Sequence, residues 1–137
     1  MERNLARARA VQATEMSAPE KLRTLITELM ESYAENFPFL YVYIQENLSQ
    51  MARGDATWAD RMRQTNREYE AVVVEIVKSG YRDATIREIG PAWVVAYGII
   101  GLVGWTNRWF DPSKSTVDDA AIGATYAEMV ITGLVAD

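Results

Sequence analysis

Two residue types are missing altogether: the 137 residues contain no cysteine and no histidine. Without cysteine there is no disulfide framework and no thiolate nucleophile, which fits a reducing compartment such as the cytoplasm. Without histidine, Ser-His-Asp and Cys-His catalysis are excluded, as are the commonest zinc ligand and the Glu-x-x-His pairs of di-iron bundles. Basic charge is in deficit: 14 Lys and Arg stand against 19 Asp and Glu, a net charge of −5. Phosphate contact needs a basic stripe, so a nucleic-acid surface on these residues is not expected. Long apolar runs are scarce too. From Ile89 to Asn107 no residue is charged. That run holds Pro91, Asn107 and several glycines, so it makes a poor version of the roughly 20 apolar residues a membrane span requires.

What remains is helical in pattern. The length fits one domain with one core. Residues 2–15 carry Leu5, Ala8, Val11 and Gln12 on one side, amid Arg3, Arg7 and Arg9. "SAPE" at 17–20 then offers a Ser cap, a first-turn proline and a capping-box Glu20. Behind it Leu22, Leu25, Ile26, Leu29, Met30 and Tyr33 form an amphipathic stripe, ended by Asn36-Phe37-Pro38. A third helix places Phe39, Leu40, Tyr43, Ile44, Asn47, Leu48 and Met51 together and stops at Gly54. A fourth turns Trp58, Met62, Tyr69, Val72, Val73, Ile76 and Val77 inward, with Gly80 expected at its C′ position. A fifth is expected from about Ile86 to Phe110. A sixth, opened by Thr116-x-x-Asp119, carries Ile122, Tyr126, Met129, Val130 and Leu134. The expected fold is all-α: six helices in an orthogonal bundle, with no sheet.

The fifth helix spaces Gly98, Gly101 and Gly104 at intervals of three. Each costs about 1 kcal/mol relative to alanine in a helix interior. Close approach of another helix offsets that cost through dispersion contacts. Trp105 and Trp109, one turn apart, suit interface anchors. The last two helices are therefore expected to form a hairpin, and two hairpins from two copies a four-helix interface. Gly98, Gly101, Trp105, Arg108, Trp109, Tyr126, Met129 and Val130 are its expected residues. Packing inside a single core is the plainer alternative. Arg108 either satisfies terminal carbonyls or reaches a carboxylate across the dimer.

The order "KSGYRDAT", apolar helix, "GWTNRWFDP", short loop and "STVDDAAIGATYAEMVITGL" resembles the C-terminal portion of TetR-family transcriptional regulators. "FPFLYVYIQENLSQM" resembles the mid-domain helix of a branch whose ligands are often acyl-CoA thioesters or hydrophobic degradation intermediates. The resemblance implies a single effector-binding and dimerisation domain over 1–137. Within it, 1–16 would be the end of a connecting helix, 17–82 the pocket helices and 85–135 the dimerisation helices. A DNA-binding head would precede it in a full regulator, and effector binding would tilt the connecting helix. The chain is then either a sensor fragment or a headless relative that contacts no operator itself.

An effector pocket is expected where aromatics gather: Tyr33, Phe37, Tyr41, Tyr43, Trp58, Met62, Tyr69, Trp93 and Tyr97, each of which taken alone reads first as plain core. Glu46 and Asn47 add polar groups, Glu46 either orienting a ligand or pairing with Arg61 or Arg67. The expected function is a non-enzymatic effector-sensing homodimer, taking a small hydrophobic or acyl-CoA-like ligand without cofactor or metal. Two alternatives stand beside it. One is a headless partner that heterodimerises with intact regulators. The other is an enzyme using Glu46 with Asp60 or Glu68, which needs a burial-raised carboxyl pKa.

Overall fold

The computed structural model describes residues 2–37 and 56–136, with 56–59 as backbone only. Five α-helices lie in these residues: α1 (Glu2–Gln12), α2 (Ala18–Glu35), α3 (Ala56–Arg82), α4 (Ala92–Gly104) and α5 (Asp119–Leu134). A 3-10 turn, Trp105–Arg108, extends α4. No strand occurs among the described residues; one isolated antiparallel bridge joins Ile86 to Val135. The helix expected over Phe39 to Met51, with Tyr41, Tyr43, Glu46 and Asn47, lies outside the described residues.

The helical period sets the packing. Leu22, Leu25, Ile26, Leu29 and Met30 of α2 are buried against Tyr69, Val72, Val73, Ile76 and Val77 of α3. Asn4, Leu5, Ala8 and Val11 of α1 close one side of this core. Along α2 runs α5, burying Ile122, Gly123, Ala127, Ile131 and Leu134. At Gly123 a Cβ would meet Thr27 Cα at 3.5 Å, so the two helices approach to van der Waals contact there. Against α3 lies α4, which buries Ala96, Ile99 and Val103.

Ser17 caps α2, its Oγ accepting from the Glu20 amide at 3.4 Å, with proline in the first turn. Only this half of the expected capping box forms, because the Glu20 carboxylate turns to Arg23 at 3.6 Å.

Three boundaries and one packing arrangement differ from those expected. Gly80 is not a C′ residue. It sits inside α3, where a Cβ would lie 2.5 to 2.9 Å from Ile86 side-chain atoms, so glycine is needed for close approach. The left-handed residue is Ala84, at φ 63°. Ile86 does not open α4. Arg87 N–H donates to Leu134 carbonyl at 2.8 Å, holding the segment extended, and the helix waits for Pro91. Asp118, not Thr116, caps α5, accepting from the Ala121 amide at 2.8 Å. Finally, α4 and α5 do not zip into a tight hairpin: each lies mainly on a different core helix, α4 on α3 and α5 on α2, leaving a groove between them.

Candidate functional site

Two features stand out from the core: an internal cavity and an exposed apolar face. The cavity, of about 200 Å³, opens where α1, α2, α3 and α4 converge. Its wall is Asn4 from α1, Leu29 and Tyr33 from α2, Thr65, Asn66, Tyr69 and Glu70 from α3, and Ile100 from α4. Tyr33 extends the apolar stripe of α2 by one turn, and Tyr69 belongs to that of α3. The same periodicity that builds the core therefore delivers both phenols to its open end.

Burial pushes the Tyr33 phenol up to about 12, opposed in part by a hydrogen bond with the Asn107 side chain. Tyr69 is raised as well, by burial first, then by Tyr33 and Glu28. Both stay protonated at neutral pH and act as neutral hydrogen-bonding groups. Glu70 stands at the rim, where the Tyr97 hydroxyl donates to it; the carboxylate raises the Tyr97 phenol above its ordinary value. Thr65 Oγ1 donates back to the Arg61 carbonyl at 3.1 Å.

One turn along α1 from Asn4, Arg7 reaches Glu28 at 3.7 Å and Glu31 at 3.5 Å. Arg7 Nη1 and Glu28 Oε2 are buried without a hydrogen-bond partner. Burial raises the Glu28 carboxyl, Arg7 opposes that, and Glu31 adds to it. This polar junction ties α1 to α2 beside the cavity.

The apolar face lies across α4, the 3-10 turn and α5. Trp105 is 61% exposed, Trp93 57%, Trp109 53% and Met129 58%. At Gly98 and Gly101 a Cβ would meet nothing within 4 Å. Between the two helices runs a groove of about 370 Å³, lined by residues such as Val94, Gly98, Val130 and Gly133. Val130 and Tyr126 are half-buried. Tyr126 hydroxyl and the fully buried Thr106 Oγ1 lie 3.3 Å apart, joining the turn to α5. Among the described residues Arg108 makes no hydrogen bond to a terminal carbonyl. Its guanidinium lies over the Trp105 ring, 4.4 Å from the centroid.

Of the expected ligand residues, Tyr33 and Tyr69 meet in the cavity. Met62 is half-buried, one helical step from Asn66 and Thr65 on α3. Phe37 lies exposed just past α2. Trp93 and Tyr97 stack edge to face at 5.7 Å on the outer side of α4, and Tyr97 touches the cavity through Glu70. Tyr43, Glu46, Asn47 and the Trp58 side chain lie outside the described residues. Asn4, Thr65, Asn66 and Glu70 escaped the sequence reading, which searched for aromatics. Thr65 falls on the Met62–Tyr69–Val72 stripe, and that register was the available signal. Asp60 pairs with Arg63, and Glu68 with Gln64 and Arg9. No cluster of metal-ligating side chains occurs among the described residues, and no helix there is long and apolar enough to cross a membrane.

Comparison with known proteins places this geometry. The chain is similar in structure to the ketosteroid transcriptional regulator KstR2 of Mycobacterium tuberculosis, with TM-score 0.84 and 16% identity, over 98% of this chain and 66% of that one. It is similar to a regulatory protein of the TetR family from Rhodococcus RHA1, with TM-score 0.78 and 25% identity, over 99% and 69%. A TetR/AcrR-family regulator from Thermobifida fusca aligns with TM-score 0.75 and 20% identity, over 96% and 67%. The chain thus spans about two thirds of the length of these regulators. No curated protein matches it in sequence. Residues 15–134 match the family described as tetracyclin repressor-like, C-terminal domain. A chain matched over nearly its whole length belongs to that family.

Proposed function

We propose that these residues form the effector-sensing and pairing module of a TetR-family transcriptional regulator. The observation that carries the reading is the wall of the cavity. Asn4 of α1 faces the same space as Tyr33, Tyr69 and Ile100 of three other helices. A guest there touches α1 directly and shifts the balance between its orientations, to the extent that it binds one better than another. The Arg7–Glu28–Glu31 junction, with long contacts and two orphaned atoms, gives α1 a tie that can rearrange. In this reading operator contact belongs to a part of a regulator outside the region covered, and the site of action is the cytoplasm.

The exposed face is the surface for a second copy. Each indole carries on the order of 200 Å², so burying the exposed half at about 25 cal/mol per Å² is worth about 2–3 kcal/mol per tryptophan. The open glycines allow the backbones of two copies to approach. Of the expected ligand classes, a small molecule is favoured over an acyl-CoA, since no lysine or arginine lines the cavity among the described residues to hold phosphates.

Native mass spectrometry tests both halves. The expected result is a dimer that retains, or accepts from solution, one small molecule per subunit. A monomer at micromolar concentration would remove the pairing role, and a dimer that accepts no small molecule would remove the sensing role.

A further inference from the structure

We propose that the cavity selects a small organic cation, a protonated amine on a flat apolar body, held by Glu70 and by the rings of Tyr33 and Tyr69. This rests on the reading of the cavity as the effector site and adds the charge of the guest.

Charge decides it. Glu70 is the only acidic or basic side chain of the wall among the described residues. No lysine or arginine pairs with it among the described residues; its neighbour is the neutral Tyr97 hydroxyl. Two bases of α1 are engaged elsewhere, Arg7 with Glu28 and Glu31, and Arg9 with Glu68. An anion entering this space would lose its water beside a carboxylate and gain no counter-charge. A cation gains the carboxylate and two phenol faces. Asn4 strengthens the case. It is only 9% exposed, lines the cavity, and its amide makes no hydrogen bond among the described residues. Its carbonyl oxygen is a free acceptor for an ammonium N–H. The chain's net charge of −5 draws cations toward the rim. Size sets the rest. About 200 Å³ is below the roughly 300–1,000 Å³ of drug-sized pockets, which restricts the guest to single-ring dimensions.

The test is calorimetric titration of the intact chain with three probes of one shape: phenethylammonium, phenethyl alcohol and phenylacetate. The ammonium is expected to bind at least about tenfold more tightly than the alcohol, the difference one charged hydrogen bond makes, and phenylacetate not at all. Glu70→Gln, isosteric and half-exposed, is expected to lower ammonium binding to the level of the alcohol, with helicity intact by circular dichroism. Alcohol or phenylacetate binding as tightly as the ammonium, or ammonium binding unmoved in Glu70→Gln, overturns the charge assignment and leaves the sensing role standing. Binding of none of the three also overturns the assignment, and the sensing role is then judged separately by the mass of any molecule retained in the native protein.

Discussion

Gly80 shows how one missing Cβ fixes a junction. Ile86 occupies the space a side chain would need, and its Cβ as well as its flexible end lies within 2.9 Å of the ideal Cβ position. The isoleucine cannot swing clear, because its segment is held by the Gly80 and Leu134 carbonyls. Overpacking of this kind costs about 1–3 kcal/mol, and the helix-propensity gain of alanine returns only about 1 kcal/mol. Gly80→Ala is therefore expected to destabilise the fold by up to about 2 kcal/mol, read from urea midpoints. Gly101 is the opposite case: with open space around it, Gly101→Ala should stabilise the isolated subunit by up to about 1 kcal/mol. From the sequence, Gly80 reads as a helix end and Gly101 as part of a helix groove, and neither reading says what a Cβ would meet.

Among the elements, the caps and the α1–α2 tie invite measurement. The Asp118 carboxylate meets the Ala121 amide at 2.8 Å, whereas the Ser17 contact is a long 3.4 Å. Asp118→Ala should cost about 1 kcal/mol, within the usual range for caps, and Ser17→Ala less. A reversed order would show that cap geometry is not what sets these helix starts. The α1–α2 tie has a pH signature. The folded Glu28 carboxyl is raised above its ordinary 4.5, so the folded chain holds that proton at a pH where the unfolded chain has lost it. Stability from this group therefore falls as pH rises from the ordinary value through the raised one. Asp83 and Asp111, held low by Thr85 and Ser113, work in the other direction: their contribution is present above the ordinary 3.8 and lost as pH falls below it. Denaturation midpoints across this range should fall less steeply with rising pH in Glu28→Gln than in the parent chain. Parallel profiles would mean that Glu28 is not strained by its burial.

For the whole molecule the question is whether the apolar face is covered. If a second copy covers it, the melting temperature rises with protein concentration. Trp105→Ala should abolish that dependence and weaken self-association by about 2 kcal/mol or more, as central aromatic anchors do. Gly101→Ala should weaken it too, although it stabilises the subunit. That pairing of opposite effects separates an interface glycine from a merely unfavourable one. Association unchanged in both variants, by sedimentation equilibrium, would leave the face without its proposed occupant.

The sequence by itself determined the described helices, though not where α4 and α5 begin, because a 3.6-residue apolar period has one physical interpretation. It determined the stripes of α2 and α3, and with them Tyr33 and Tyr69, since residues on a core stripe must reach the core or its open end. It also marked Trp105 and Trp109 as surplus to one subunit's packing. Tertiary structure alone decided the rest. Whether a glycine makes room for Ile86 or faces open space depends on a residue from another segment. Whether Asn4 and Glu70 share a wall depends on how α1, α3 and α4 converge. The extended course at Ile86, the cap at Asp118 and the cation–π seat of Arg108 arise the same way. Periodicity tells a side chain which way to point, but only packing supplies what it meets there.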